Sequence, residues 1–175
     1  MASIQTLEDG QRRIVARWAA ACAERVVALF VADAAAEAQI RDALARTFAY
    51  AAGGGGTAEE IAKRMIAVKA AGAASTPAGA AAARSVAQAA AVAHMGAHAL
   101  GAAAYAVKAV SIGGDEVAVR AELDWQLSQL SAGERDVLRL LPPVGSDSNG
   151  PLGAGLLSRG ILGETIREIQ AALNR

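Results

Sequence analysis

Cysteine occurs once in this chain, at Cys22, so no internal disulfide can staple the fold. Aromatic residues make up only 3% against 54% hydrophobic residues, so the core must be built from Ala, Val, Leu and Ile on closely spaced helices. The few large rings therefore carry more packing information than usual. Neither sign of charge prevails, with 17 Lys plus Arg against 17 Asp plus Glu. No basic cluster is long enough to neutralise a run of phosphates, which argues against a nucleic-acid partner. No stretch alternates with period two long enough for a strand, and no repeat of fixed length emerges. The run from Ser85 to Val107 has the length of a membrane span, but it is mostly Ala and Gly with two His and a Gln. It therefore reads as a buried central helix, with no membrane association expected. The opening MASIQTLEDGQRR has no apolar signal core, so a cytoplasmic location is expected.

What remains is helical periodicity. At 175 residues the chain suits one all-α domain, a bundle of about six to eight helices with an Ala/Gly-rich central hairpin. Charged residues form 19%, below the roughly 25% typical of soluble domains. Some surface is therefore expected to be covered, most simply in a homodimer.

Helix spacing divides the chain readily. Ile14, Trp18, Cys22, Val26 and Leu29/Phe30 predict a first amphipathic helix from near Thr6 to about Val31. Ile40, Leu44, Thr47, Phe48 and Ala51 predict a second, which the four glycines at 53–56 must end as a flexible connector. Those glycines run into ThrAlaGluGlu without the Lys-Ser/Thr of a phosphate loop. They predict instead a capping box, Thr57 with Glu60, for a third helix whose stripe is Ile61, Met65, Val68 and Ala71. Ser75, Thr76 and Pro77 start a fourth, nearly all alanine, with a break expected near Met95 and Gly96. Asp115 caps a helix through Val119, Leu123, Gln126 and Leu130, and SerAlaGlyGlu at 131–134 boxes a short one that Pro142 and Pro143 stop. Residues 1–144 form the main domain in this reading. Residues 145–175 form a linker, 145–151, and a terminal helix with the stripe Leu162, Ile166, Ile169 and Leu173. That stripe is expected to pack on the domain, on a partner subunit, or over a pocket as a lid.

The chemistry concentrates in the nearly uncharged run from Arg84 to Val110, which holds both histidines. On a continuous helix His94, His98, Gly101 and Tyr105 fall at i, i+4, i+7 and i+11, one stripe. One histidine could act as acid or base while Tyr105 donates to an oxygen of a bound molecule, and buried core roles are the alternative. The candidate catalytic residues are thus His94, His98 and Tyr105. The candidate ligand-binding set adds Trp18, Arg25 and Trp125 as walls from other helices. Two histidines without a third ligand at matching spacing do not make a metal site, so no metal and no cofactor are expected. Cys22 reads as a small core residue, and no nucleophile elbow marks a serine hydrolase.

Three blocks carry a family likeness. ArgTrpAlaAlaAlaCysAlaGluArgValValAlaLeuPhe, 17–30, resembles the opening helix of the actinobacterial immunity-protein-five-like family. Residues 91–109 resemble its His-containing helix with Gly-Ala-Ala-x-Tyr-Ala, and 122–138 its Glu-x-x-Trp-Gln segment with the helix that follows. The likeness spans about residues 10–142. It implies an all-α domain and, by the family's name, a role in neutralising a toxin from a competing or sibling cell.

Three functions are compatible with these residues. The first is an immunity-like protein that binds a toxin, protein or toxic metabolite, without chemistry. The second is a small-molecule-binding protein or cofactor-free enzyme of a natural-product pathway that uses the His/Tyr-lined pocket. The third is a structural dimer in which the terminal helix exchanges between subunits.

Overall fold

Capping and helix-breaking residues divide the chain into eight α-helices among the described residues, with no named strand, in a computed structural model that describes residues 2–175. The helices are α1 (Asp9–Glu24), α2 (Ala34–Ala51), α3 (Thr57–Ala71), α4 (Pro77–Ala91), α5 (His98–Gly113), α6 (Glu116–Ser128), α7 (Ala132–Leu138) and α8 (Gly160–Leu173). The domain is all-helical, and α5 is its axis: residues 99–107 and Ala109 are all buried.

Local chemistry accounts for most of the boundaries. Asp33, Thr76, Asp115 and Ser131 each accept a backbone N–H at a helix start, and Pro77 occupies the first turn of α4, where its missing N–H costs nothing. The predicted break falls at the turn 92–97, so α4 and α5 form an antiparallel hairpin of small side chains. Ser85 closes it by donating to the Ala102 carbonyl at 2.7 Å.

Three expectations need correction. First, α1 is boxed by Glu8 and Gln11, not begun at Thr6, which ends a 3-10 turn, Ile4–Thr6. It stops at Glu24 instead of Val31, because the Val31 carbonyl accepts from both the Ser75 N–H and hydroxyl, and α4 packs where Gly79 admits the Leu29 carbonyl. Ile14 and Leu29 stay exposed. Second, Thr57 is the first helical residue of α3 and Gly56 its cap, so the Thr57 hydroxyl is free to donate to Asp9. Third, the predicted stripe of α3 is only partly buried: Ala71 is inside as expected and Ile61 half-buried, but Met65 and Val68 are exposed, and Ala67 and Ala70 are buried in their place. An alanine face lets α3 approach α4 more closely than its larger side chains would, and close backbone packing decides the face.

Tyr50, which periodicity did not single out, is buried with its hydroxyl donating to Asp9. Arg13 lies over its ring at 4.3 Å and donates to the carbonyls of Tyr50, Gly54 and Gly55. The glycine connector, with Gly53 and Gly55 at positive φ, is thereby fastened to α1.

Residues 145–151 are fastened as well. Gln5, buried beneath them, donates to Asp147 Oδ2 at 2.7 Å and to the Asn149 carbonyl at 2.8 Å, and accepts the Leu152 N–H at 2.8 Å. A Cβ at Gly150, whose φ is +76°, would strike that amide. The stripe Leu162, Ile166, Ile169 and Leu173 is buried, and α8 lies on α5 with flanking contacts to α6 and α7. No helix among the described residues is long and apolar enough to cross a membrane.

Candidate functional site

The turn between α4 and α5 places the imidazoles. Its Gly96 and Ala97 N–H groups each donate at 3.0 Å, to the Thr6 and Gln5 carbonyls, so the amino-terminal 3-10 turn holds it in place. Leu7 packs where a Cβ on Gly96 would sit. His94 lies in this turn, not on a helix, and is exposed; His98 is the first residue of α5 and is half-buried. The continuous-helix spacing is therefore broken at its first member. The turn nevertheless keeps His94 beside His98, and both line one cavity with Tyr105, itself buried on α5.

That cavity holds about 390 Å³. Gln88 of α4 and Met95 of the turn complete its floor, and Gly150, Pro151 and Gly155–Leu157 from the tail form its roof. None of the lining residues is Asp or Glu. Gln88 reaches His98 across the bare face of Gly101, where a Cβ would meet Gln88 Oε1 at 2.3 Å. The bond runs from His98 Nδ1 to Gln88 Oε1 at 2.8 Å. With oxygen at that position, the imidazole proton is assigned to Nδ1 and Nε2 keeps a lone pair.

Burial drives the pKa values apart. Loss of solvent, then the nearby His94 and Arg64, pulls His98 down to about 4, so its ring is neutral at pH 7. Burial pushes the Tyr105 phenol up against an opposing pull from Arg84. Lys108 Nζ stands 5.9 Å from the Tyr105 ring centroid. The site presents a hydroxyl donor, an imidazole acceptor and an apolar wall.

Trp18, Arg25 and Trp125 do not line this cavity; they form the seam between α1 and α6. Trp18 is fully buried and donates from Nε1 to the Gln126 carbonyl at 2.8 Å. The Arg25 guanidinium pairs with the Glu122 carboxylate at 3.0 Å and stacks 4.2 Å from the Trp125 ring. Gln126 donates to the Ala103 carbonyl and so ties the seam to a flank of α5. Each large side chain has found its own partner, which is why six residues read as one pocket separate into two groups. Cys22 is buried at this seam, and burial, followed by Glu122 and Glu134, raises its thiol well above the ordinary value. It is no nucleophile.

A second cleft, about 480 Å³, opens between α6 and α8 over Val107. Asp115, Glu116, Glu164 and Glu168 rim it, and Arg120 bridges Asp124 to Glu168. It contains neither imidazole nor phenol. Among the described residues no group of three or more His, Cys, Asp and Glu side chains could hold a metal ion.

Sequence reasoning missed Gln88 and the whole roof. Gln88 left a faint signal, as the sole amide between Arg84 and Lys108. The roof left none, because its position depends on the Gln5 tie from the far end of the chain.

The family model described as Imm-5 like putative immunity protein matches residues 5–133. No curated protein and no solved structure matches the chain. The matched segment contains Gln5, Gln88 and the His94, His98 and Tyr105 side chains; the roof lies beyond it.

Proposed function

The chain belongs to the Imm-5-like family of putative immunity proteins, and from that premise we propose that it protects by sequestration, binding a toxic molecule in the cytoplasm without transforming it. His94, His98 and Tyr105 are the binding groups in this reading. The supporting observation is the Gln88–His98 bond. It spends one imidazole nitrogen on a fixed orientation, and burial, which lowers the ring's pKa to about 4, keeps the other nitrogen a neutral hydrogen-bond acceptor at pH 7. A preorganised acceptor beside a phenol donor and an apolar wall suits recognition. The family name supports a toxin as the thing recognised, and the cavity's size favours a toxic metabolite, or one side chain of a larger toxin.

A cofactor-free enzyme is the second reading. Its support is the convergence of the same three side chains on one open-sided cavity. The homodimer expected from the low charge stays part of the proposal, and sedimentation at two protein concentrations tests it.

Native mass spectrometry of the purified chain, mixed with extract of the producing cells, separates the readings. Sequestration gives one small-molecule adduct per chain, absent in a His98→Ala variant that keeps its helix content, and the released molecule has unchanged mass. A chemically altered product selects the enzyme reading. Absence of any adduct in the wild type removes the cavity from the account of function.

A further inference from the structure

We propose that the cleft between α6 and α8 binds a small hydrophobic amine, an ammonium group on an apolar body. This site is separate from the His/Tyr cavity and does not depend on the sequestration reading. One ion-pair rung sets the register of its two walls. Arg120 of α6 donates to Glu168 of α8 at 2.9 Å and pairs with Asp124 at 3.0 Å, so two carboxylates hold one guanidinium. One turn earlier on each helix, at i−4, stand Glu116 and Glu164, and both line the cleft. Neither has an ion-pair partner among the described residues, so this next rung carries two carboxylates and no cation. Asp115, also on the rim, is spent as the α6 cap on the Ala118 N–H at 2.9 Å. Glu116 in the first turn of α6 complements the helix dipole, whereas Glu164 lies beyond the first turn of α8 and has no such reason.

Thr165 points to a ligand independently of charge. It is 4% exposed and lines the cleft, and its hydroxyl makes no hydrogen bond among the described residues. Thr47, the other buried threonine, returns its hydroxyl to the Ala43 carbonyl at 2.8 Å, one turn back. Without that bond the Thr165 oxygen is left to the cleft, beside a floor of Val107, Val119, Leu123 and Ile161. A primary ammonium has three N–H donors and no acceptor, and Glu116, Glu164 and Thr165 offer it three acceptors. The negative rim attracts a cation and repels an acid. The floor draws on α5, α6 and α8, so the apolar body is broader than the unbranched stem of a lysine side chain. The volume, about 480 Å³, falls within the roughly 300–1,000 Å³ of small-molecule sites.

The test titrates phenylpropylamine, phenylpropanol and phenylpropionate into the full chain and follows the backbone amide resonances of α6 and α8. The imidazole resonances of His94 and His98 serve as the control for the other cavity. The amine is expected to shift the amides of both helices and leave the imidazoles unmoved, to bind about tenfold tighter than the alcohol, and to weaken as salt is added; the acid shifts neither helix. Glu116→Gln combined with Glu164→Gln alters two exposed side chains, so the fold should survive, and it should bring the amine level with the alcohol. Thr165→Val keeps the side-chain shape and should weaken the amine about fivefold. Equal binding of amine and alcohol, an amine preference that survives the double variant, or shifts confined to the imidazoles overturns the assignment. Acetyl-lysine methylamide binding as tightly as phenylpropylamine gives the cleft to a lysine of a protein and overturns the small amine. The His98→Ala adduct measurement reads the other cavity, so either site can fail alone.

Discussion

Gly101 has a role that only its missing side chain can fill, since a Cβ there would sit 2.3 Å from Gln88 Oε1. Gly101→Ala should push Gln88 off His98. Overpacking of this kind costs about 1–3 kcal/mol, offset in part by the roughly 0.5–1 kcal/mol by which Ala exceeds Gly inside a helix. The expected outcome is a small loss of stability in urea and loss of the small-molecule adduct, and an unchanged adduct would sink the Gln88 argument. Glu134 presents the complementary case of a buried charge. Its carboxylate lies inside, paired at 2.6 Å with an Arg17 guanidinium that remains about half exposed. Arg17→Ala abandons a buried charge and should cost about 3 kcal/mol. Glu134→Gln keeps an acceptor and lets the guanidinium rehydrate, so it should cost less, about 1 kcal/mol. Urea midpoints at constant slope give the order, and the reverse order refutes it. The Ser131–Glu134 box was legible from its spacing, whereas the pairing of Glu134 with a residue 117 positions away was not.

At the scale of elements, the tail shows what local reading cannot reach. Its composition reads as a linker, yet one buried amide, Gln5, satisfies a carboxylate, a carbonyl and an N–H within 147–152. Gln5→Ala removes all three bonds and should cost about 1–3 kcal/mol. The cleavage rate near 145–155 in limited proteolysis is expected to rise with helix content unchanged; a rate equal to wild type means the tie is dispensable. The terminal helix was readable because its stripe is long and large-chained, and burial on α5 used those four residues. The third helix was misread for the converse reason. Its large residues make the stronger pattern, but its alanines make the closer contact.

For the whole molecule, two groups predict how stability follows pH. His98 has a folded pKa of about 4, below its ordinary 6.5, so the unfolded chain binds more protons between those values. Its contribution is complete above pH 6.5 and lost progressively as pH falls toward 4. Asp9, held by Thr57, Arg13 and Tyr50 at about 2 against an ordinary 3.8, contributes above pH 3.8 and loses that contribution as pH falls toward 2. The Asp9 side chain is nearly half exposed, so solvent screening shrinks the second step. Urea unfolding from pH 7 to 3 should show His98→Gln flattening the upper window and Asp9→Asn the lower. A slope through pH 6.5–4 that survives His98→Gln removes His98 as its source.

The ends of α1 and the cap of α3 were not determined by the local sequence. The caps of α2, α4, α6 and α7, the 92–97 break and the terminal stripe were determined by the sequence itself, because caps, prolines and 3.6-residue periodicity act within a few positions of the chain. So was the conjunction of His94, His98 and Tyr105, which survived a turn at its first member because that turn is short. Tertiary structure alone decided which face of α3 went inward. It also sent Trp18, Arg25 and Trp125 to the α1–α6 seam and set residues 150–157 over the cavity. Those outcomes depend on interhelical distance and on single hydrogen bonds between distant residues. In a core built of alanine, backbones pack too closely for side-chain size to indicate what lies inside.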